Sequence, residues 1–194
     1  FSGGAVASSA LLAACKEKDS NTSAAKTSDK SLKPRGKMTV RTNNITGDKV
    51  SILGYGMMRL PVIGGASGRD NSDADIDQEM VNRQVDYALE HGVNYFDTSP
   101  AYCMGRSESA TGIALKRHKR DTYYIATKLS NFAPDTWSRA ESIKMFENSL
   151  KYLQTDYVDY LLLHGIGMGD DALATFNSRY MDNGILDWLV EQKK

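Results

Sequence analysis

Four short apolar runs, at 51–54, 94–97, 123–127 and 158–163, alternate along the chain with stretches of helical period. This alternation constrains the fold most, because strands joined by helix-length crossovers pair in parallel with both sheet faces covered. Residues 76–91 place Met80, Val81, Val85, Ala88 and Leu89 on one helical face, and Gly92 stops the helix as a C-terminal glycine does. A second helix is expected over about 107–117, with Ser107 and Glu108 capping and charge-complementing its start. Ser138 and Glu141 form the S-x-x-E signature of a third, which carries Ile143, Phe146, Leu150 and Leu153 on its face. Residues 184–193 read as a further amphipathic helix, and 38–50, turning at Thr46-Gly47-Asp48, as a β-hairpin. The class is α/β, with an open doubly wound sheet and a closed (β/α)₈ barrel in contention. Gly54-Tyr55-Gly56 leads into Met57-Met58-Arg59 rather than a G-x-G-x-x-G, so the phosphate-cradling turn of the open fold is missing.

Residues 1–15, FSGGAVASSALLAAC, are small, apolar and uncharged, like the core of an export signal. Leu12-Ala13-Ala14-Cys15 resembles a bacterial lipobox, in which Cys15 would be lipidated and anchor the protein to a membrane. Residues 16–37 contain no aromatic side chain and read as a polar, flexible tether before a globular part at 38–194. Residues 16–41 hold eight Lys/Arg against three Asp/Glu, whereas the whole chain balances 24 against 24. Without a global field, nucleic acid is not an expected partner. Two cysteines, Cys15 and Cys103, do not make a disulfide framework. Cys103 reads as a small packing residue in a loop.

The strand ends carry the chemistry. The second run ends at Asp97, the third at Lys128 (IATK) and the fourth at His164 (LLLH). Three parallel strands thus bring a carboxylate, an ammonium and an imidazole to one carboxyl edge, where barrel enzymes place catalytic groups. Tyr102, in the loop after Asp97, adds a phenol above it. A phenol of pKa about 10 is a poor acid at neutral pH, and a nearby ammonium held by a carboxylate makes it a better one. Such a phenol can protonate a carbonyl oxygen that is becoming an alkoxide, while an imidazole orients that oxygen. The four groups lack an electron source, so hydride has to come from a cofactor. There is no H-x-H pair or cysteine cluster to suggest a metal hydrolase.

The words GYGMMRLP (54–61), ALEHGVNYFDTSPAY (88–102), GRSE (105–108), IATK (125–128) and TDYVDYLLLH (155–164) resemble the aldo-keto reductase family. The resemblance implies a (β/α)₈ barrel closed at its bottom by the hairpin, with Asp97, Tyr102, Lys128 and His164 as catalytic tetrad. It also implies an NADPH cofactor (NADH being an alternative) bordered by Gly56, Met57 and Asp97, and a small carbonyl substrate. With the signal-like N-terminus, it points to a branch from the bacterial cell envelope. The chain is expected to hold only about the first four β/α units of the barrel, since such barrels run to about 250 residues. Two other readings stand beside reduction: an inactive, lipid-anchored interaction protein on a reductase scaffold, and an open half barrel closing itself by dimerisation.

Overall fold

The computed structural model describes residues 37–65, 74–167 and 169–193. The signal-like segment with Cys15 and nearly all of the expected tether lie outside the described residues.

The chain enters through an antiparallel hairpin, β1 (Val40–Thr42) and β2 (Lys49–Ser51). Four strands then form one sheet in the order β3 (Tyr55–Gly56), β4 (Tyr95–Asp97), β5 (Tyr124–Leu129) and β6 (Tyr160–Leu163). All three of its ladders are parallel. The crossovers carry α1 (Gln78–Glu90), α2 (Ser107–Leu115) and α3 (Arg139–Leu153), while α4 (Ala172–Phe176) and α5 (Ile185–Gln192) follow β6. Spatial order therefore equals chain order, as in a sheet that winds in one direction.

The first parallel strand differs from expectation. Residues 51–54 do not form it: Ser51 ends the hairpin, and Ile52 and Leu53 are 64% and 58% exposed. The sheet begins instead at Tyr55 and Gly56, which pair with Phe96 and Asp97. Asn94 explains the shift, because its side chain accepts from Ser51 N–H at 2.8 Å and donates to Lys49 O at 2.8 Å. The hairpin is thereby pinned beneath β4. Tyr124 Oη accepts from Lys49 N–H at 3.1 Å, and Tyr160 Oη donates to Asp48 Oδ2 at 2.6 Å. The hairpin thus covers the amino ends of β4, β5 and β6.

Helix α1 begins at Asp77, whose side chain accepts from Met80 N–H at 2.9 Å. It buries Val81, Val85 and Ala88 against Phe96, Leu115 and Ile125, while Met80 turns partly to solvent. Burying each of the larger of these side chains contributes about 1.5–3 kcal/mol. Gly92 ends the helix at φ +84°, and a Cβ there would also come within 2.8 Å of Met38 Cβ. Helix α3 starts as expected, with Ser138 Oγ accepting from Glu141 N–H. Its buried positions are Ser142, Ser149 and Leu153, of which only Leu153 is among the expected apolar residues. Small serines let α3 lie close to α2 and the sheet.

Candidate active site

Side chains alternate across a strand, so Asp97 and Lys128 share one sheet face while Phe96 and Thr127 share the other. The hydrogen bonds agree. Lys128 Nζ donates to Asp97 Oδ1 at 2.6 Å and to Thr98 O at 2.9 Å, with the lysine side chain 12% exposed. The Tyr102 ring lies against this pair, its centroid 4.8 Å from the ammonium nitrogen. Ammonium and phenol therefore meet through the ring face, a cation–π contact. The His164 ring stands edge-on to it, 5.7 Å between centroids. All four expected residues are gathered at one edge.

Tyr102 opens a turn of unusual backbone. Cys103 at φ 50°, Met104 at φ 56° and Gly105 at φ 82° are three successive left-handed residues. Non-glycine residues rarely adopt that region, and they hold it only where the surroundings compel it. Here Cys103, 3% exposed, points its thiol at Met58 O at 3.3 Å, and Arg106 Nε donates back to Cys103 O at 3.1 Å. Burial pushes the Cys103 thiol up, in keeping with a packing role.

His164 sits just beyond β6, its N–H bonded to Leu129 O at 3.2 Å. Its Nδ1 lies 2.7 Å from Ser130 Oγ and 3.2 Å from Ser99 Oγ. Its carbonyl accepts from Arg179 Nη2 at 2.6 Å and Tyr180 Oη at 3.1 Å. Burial, and then the Lys128 and Arg179 cations, lower His164 from its ordinary 6.5 against the pull of Asp97, so the ring is neutral at pH 7. Arg179 is itself 3% exposed and also bonds Asn131 and Gly165 O.

Sequence reasoning missed Ser99, Ser130, Asn131, Arg179 and Tyr180. Ser130 lies two residues beyond Lys128, which is the one signal that could have raised it. Nothing local marks Arg179.

Two expected helix-start residues also have other work. The N-cap of α2 is Arg106, without a side-chain cap. Ser107 Oγ donates to Met57 O at 2.7 Å and meets Thr98 Oγ1 at 2.8 Å. Glu108, 1% exposed, accepts from Thr127 Oγ1 at 2.5 Å on the sheet face opposite Lys128. Burial raises its carboxyl above the ordinary 4.5, so the folded state holds the proton more tightly than the unfolded one. The contribution of Glu108 to stability is then full below about pH 4.5 and is lost as pH rises through the folded value. Glu108→Gln keeps an acceptor for Thr127 and removes this slope. Its melting temperature relative to the parent should therefore rise between pH 4 and pH 7, and an equal difference at both would dismiss the buried-acid account.

The edge is open beside Asp97. Gly56 pairs with Asp97, and a Cβ built on Gly56 would meet nothing within 4 Å, so the strand end is open to a planar ring. Met57 is fully buried in the core. Lys128 and Arg179 are both engaged by the protein and do not offer themselves to a phosphate.

The profile of the Aldo/keto reductase family matches residues 53–187. Among curated proteins the chain is similar to L-galactose dehydrogenase of Arabidopsis thaliana, 35% identical over 136 residues, 69% of this chain and 40% of that protein. It is also similar to the aldo-keto reductase YhdN of Bacillus subtilis, 38% identical over 94 residues, 45% of this chain and 28% of that one. Among solved structures it matches the aldo-keto reductase AKR11C1 of Bacillus halodurans in its holo form. That match has a TM-score of 0.54 and 31% identity, over 74% of this chain and 48% of that one. The chain thus spans less than half the length of each of these relatives, and its parallel α/β sheet matches the reductase barrel over part of its length.

Proposed function

The chain belongs to the aldo/keto reductase family, and from that premise we propose that the complete protein carrying it reduces an aldehyde or ketone with hydride from NADPH or NADH. The observation that carries the assignment is the Asp97–Lys128 bridge of 2.6 Å, against which the Tyr102 ring lies, with the His164 ring edge-on to it.

In this reading Asp97 holds Lys128 in place through their 2.6 Å contact. Lys128 supports negative charge on the Tyr102 oxygen as that group gives up its proton. Tyr102 Oη donates the proton to the carbonyl oxygen. His164, neutral, presents its Nε2 side to the same oxygen and orients it. The cofactor, when bound, supplies the hydride that turns the carbonyl carbon into a carbinol. Gly56 and Asp97 border its nicotinamide.

Loss of NADPH absorbance should follow addition of aldehydes or ketones to the complete gene product. A complete protein that binds NADPH and oxidises it with no carbonyl in a broad panel would refute the reductase assignment.

A further inference from the structure

Ser99 and Ser130 surround the far nitrogen of His164, and their hydrogens can be counted. Ser99 is fully buried and Ser130 is 8% exposed. Ser99 Oγ accepts from Ala101 N–H at 3.1 Å, so its own hydrogen needs another acceptor. The side-chain atoms in reach are Ser130 Oγ at 2.9 Å and His164 Nδ1 at 3.2 Å. Ser130 Oγ in turn faces Ser99 Oγ and, at 2.7 Å, His164 Nδ1.

If Nδ1 carried a hydrogen, it could no longer accept, and whichever way the two hydroxyls ran, one serine hydrogen would have no acceptor in this triangle. With Nδ1 bare, Ser99 donates to Ser130, Ser130 donates to Nδ1, and every hydrogen is placed. Buried hydroxyls are overwhelmingly paired in folded proteins, which selects the second arrangement. The hydrogen bond at one imidazole nitrogen decides what the other carries.

We propose that the Ser99–Ser130 hydroxyl pair is a positioning device that holds His164 as the Nε2–H tautomer, so that this residue acts as a hydrogen-bond donor. Its use at a carbonyl oxygen rests on the reductase reading above; the tautomer itself does not. Phe132, with its ring 4.9 Å from the imidazole, and the Arg179 and Tyr180 bonds to the His164 carbonyl hold the ring and backbone while the serines set the proton. Neither serine touches substrate in this account.

The test reads nitrogen chemical shifts of the ¹⁵N-labelled histidine rings in the protein, without substrate or cofactor. The His164 signals are assigned by their loss in His164→Gln, against those of His91 and His118. The expected pattern is a pyridine-like Nδ1, displaced by an accepted hydrogen bond, and a pyrrole-like Nε2. Ser130→Ala should move Nδ1 toward its unbonded position, and Ser130→Thr, which keeps the hydroxyl, should restore it. A protonated Nδ1 in the parent, or an Nδ1 shift unmoved by Ser130→Ala in a folded variant, overturns the proposal. In the complete enzyme, Ser130→Ala should lower kcat by about tenfold with KM little changed. A complete protein without carbonyl reduction but with the expected nitrogen pattern would count against the reductase reading and support the tautomer assignment.

Discussion

Replacing Tyr102 by phenylalanine should lower carbonyl reduction by the complete enzyme about 10²–10⁴-fold, the usual contribution of a positioned general acid. NADPH binding should stay intact. The substitution is clean because the contacts seen at Tyr102 are made by its ring. Phenylalanine keeps the face that meets Lys128 at 4.8 Å and the edge-on packing with His164 at 5.7 Å. The left-handed turn at Cys103 and Met104 is held by the Cys103 thiol and Arg106, neither of which the change touches. What disappears is one hydroxyl. Turnover within a few-fold of the parent would show that the proton comes from elsewhere, with His164 the first group to examine.

Gly112→Ala is the largest expected effect on stability. Alanine favours a free helix over glycine by about 1 kcal/mol, so local propensity alone predicts a gain. The tertiary contact predicts the opposite. A Cβ on Gly112 would lie 2.6 Å from both Tyr152 O and Leu153 O, main-chain atoms at the end of α3 that cannot swing aside. Leu153 is 2% exposed and anchored in the core, so α3 cannot retreat without opening it. Overpacking of this kind typically costs about 1–3 kcal/mol, and a backbone clash belongs at the upper end. For a chain of this size that corresponds to a fall in melting temperature of roughly 5–10 °C. Valine at the same site should fall further. A melting temperature that rises on Gly112→Ala would mean that propensity wins and that the two helices are not locked here.

Some of this was legible in the chain. Apolar runs separated by helical periods foretold the order of β4 to β6 and of α1 to α3. The capping signals at Ser138 and Gly92 stand where the helices begin and end. The first parallel strand lies later than the expected 51–54 because Ser51 belongs to the hairpin, where Lys49–Ser51 pairs with β1. The Asn94 side chain, bonded to Ser51 N–H and Lys49 O, ties this strand to β4. On α3 the expected Leu153 is buried and Ile143 packs against the core, but the other fully buried positions are the small Ser142, beside Asn131, and Ser149, which a period of apolar residues does not mark.

The sequence by itself determined which chemistry stands at which strand end. Strand direction and alternation are local properties, so a parallel sheet in chain order must bring Asp97, Lys128 and His164 to one edge. Tertiary structure alone decided what surrounds them. Glu108 is a buried acid behind the sheet rather than a helix-end charge because Thr127, 19 positions away, lies against it. Gly112 is a crossing point because α3 passes over it, and His164 meets Ser99, 65 positions earlier in the chain, because β4 and β6 flank β5. Periodicity reports which way a side chain faces, and only packing brings the distant partner that decides what it does.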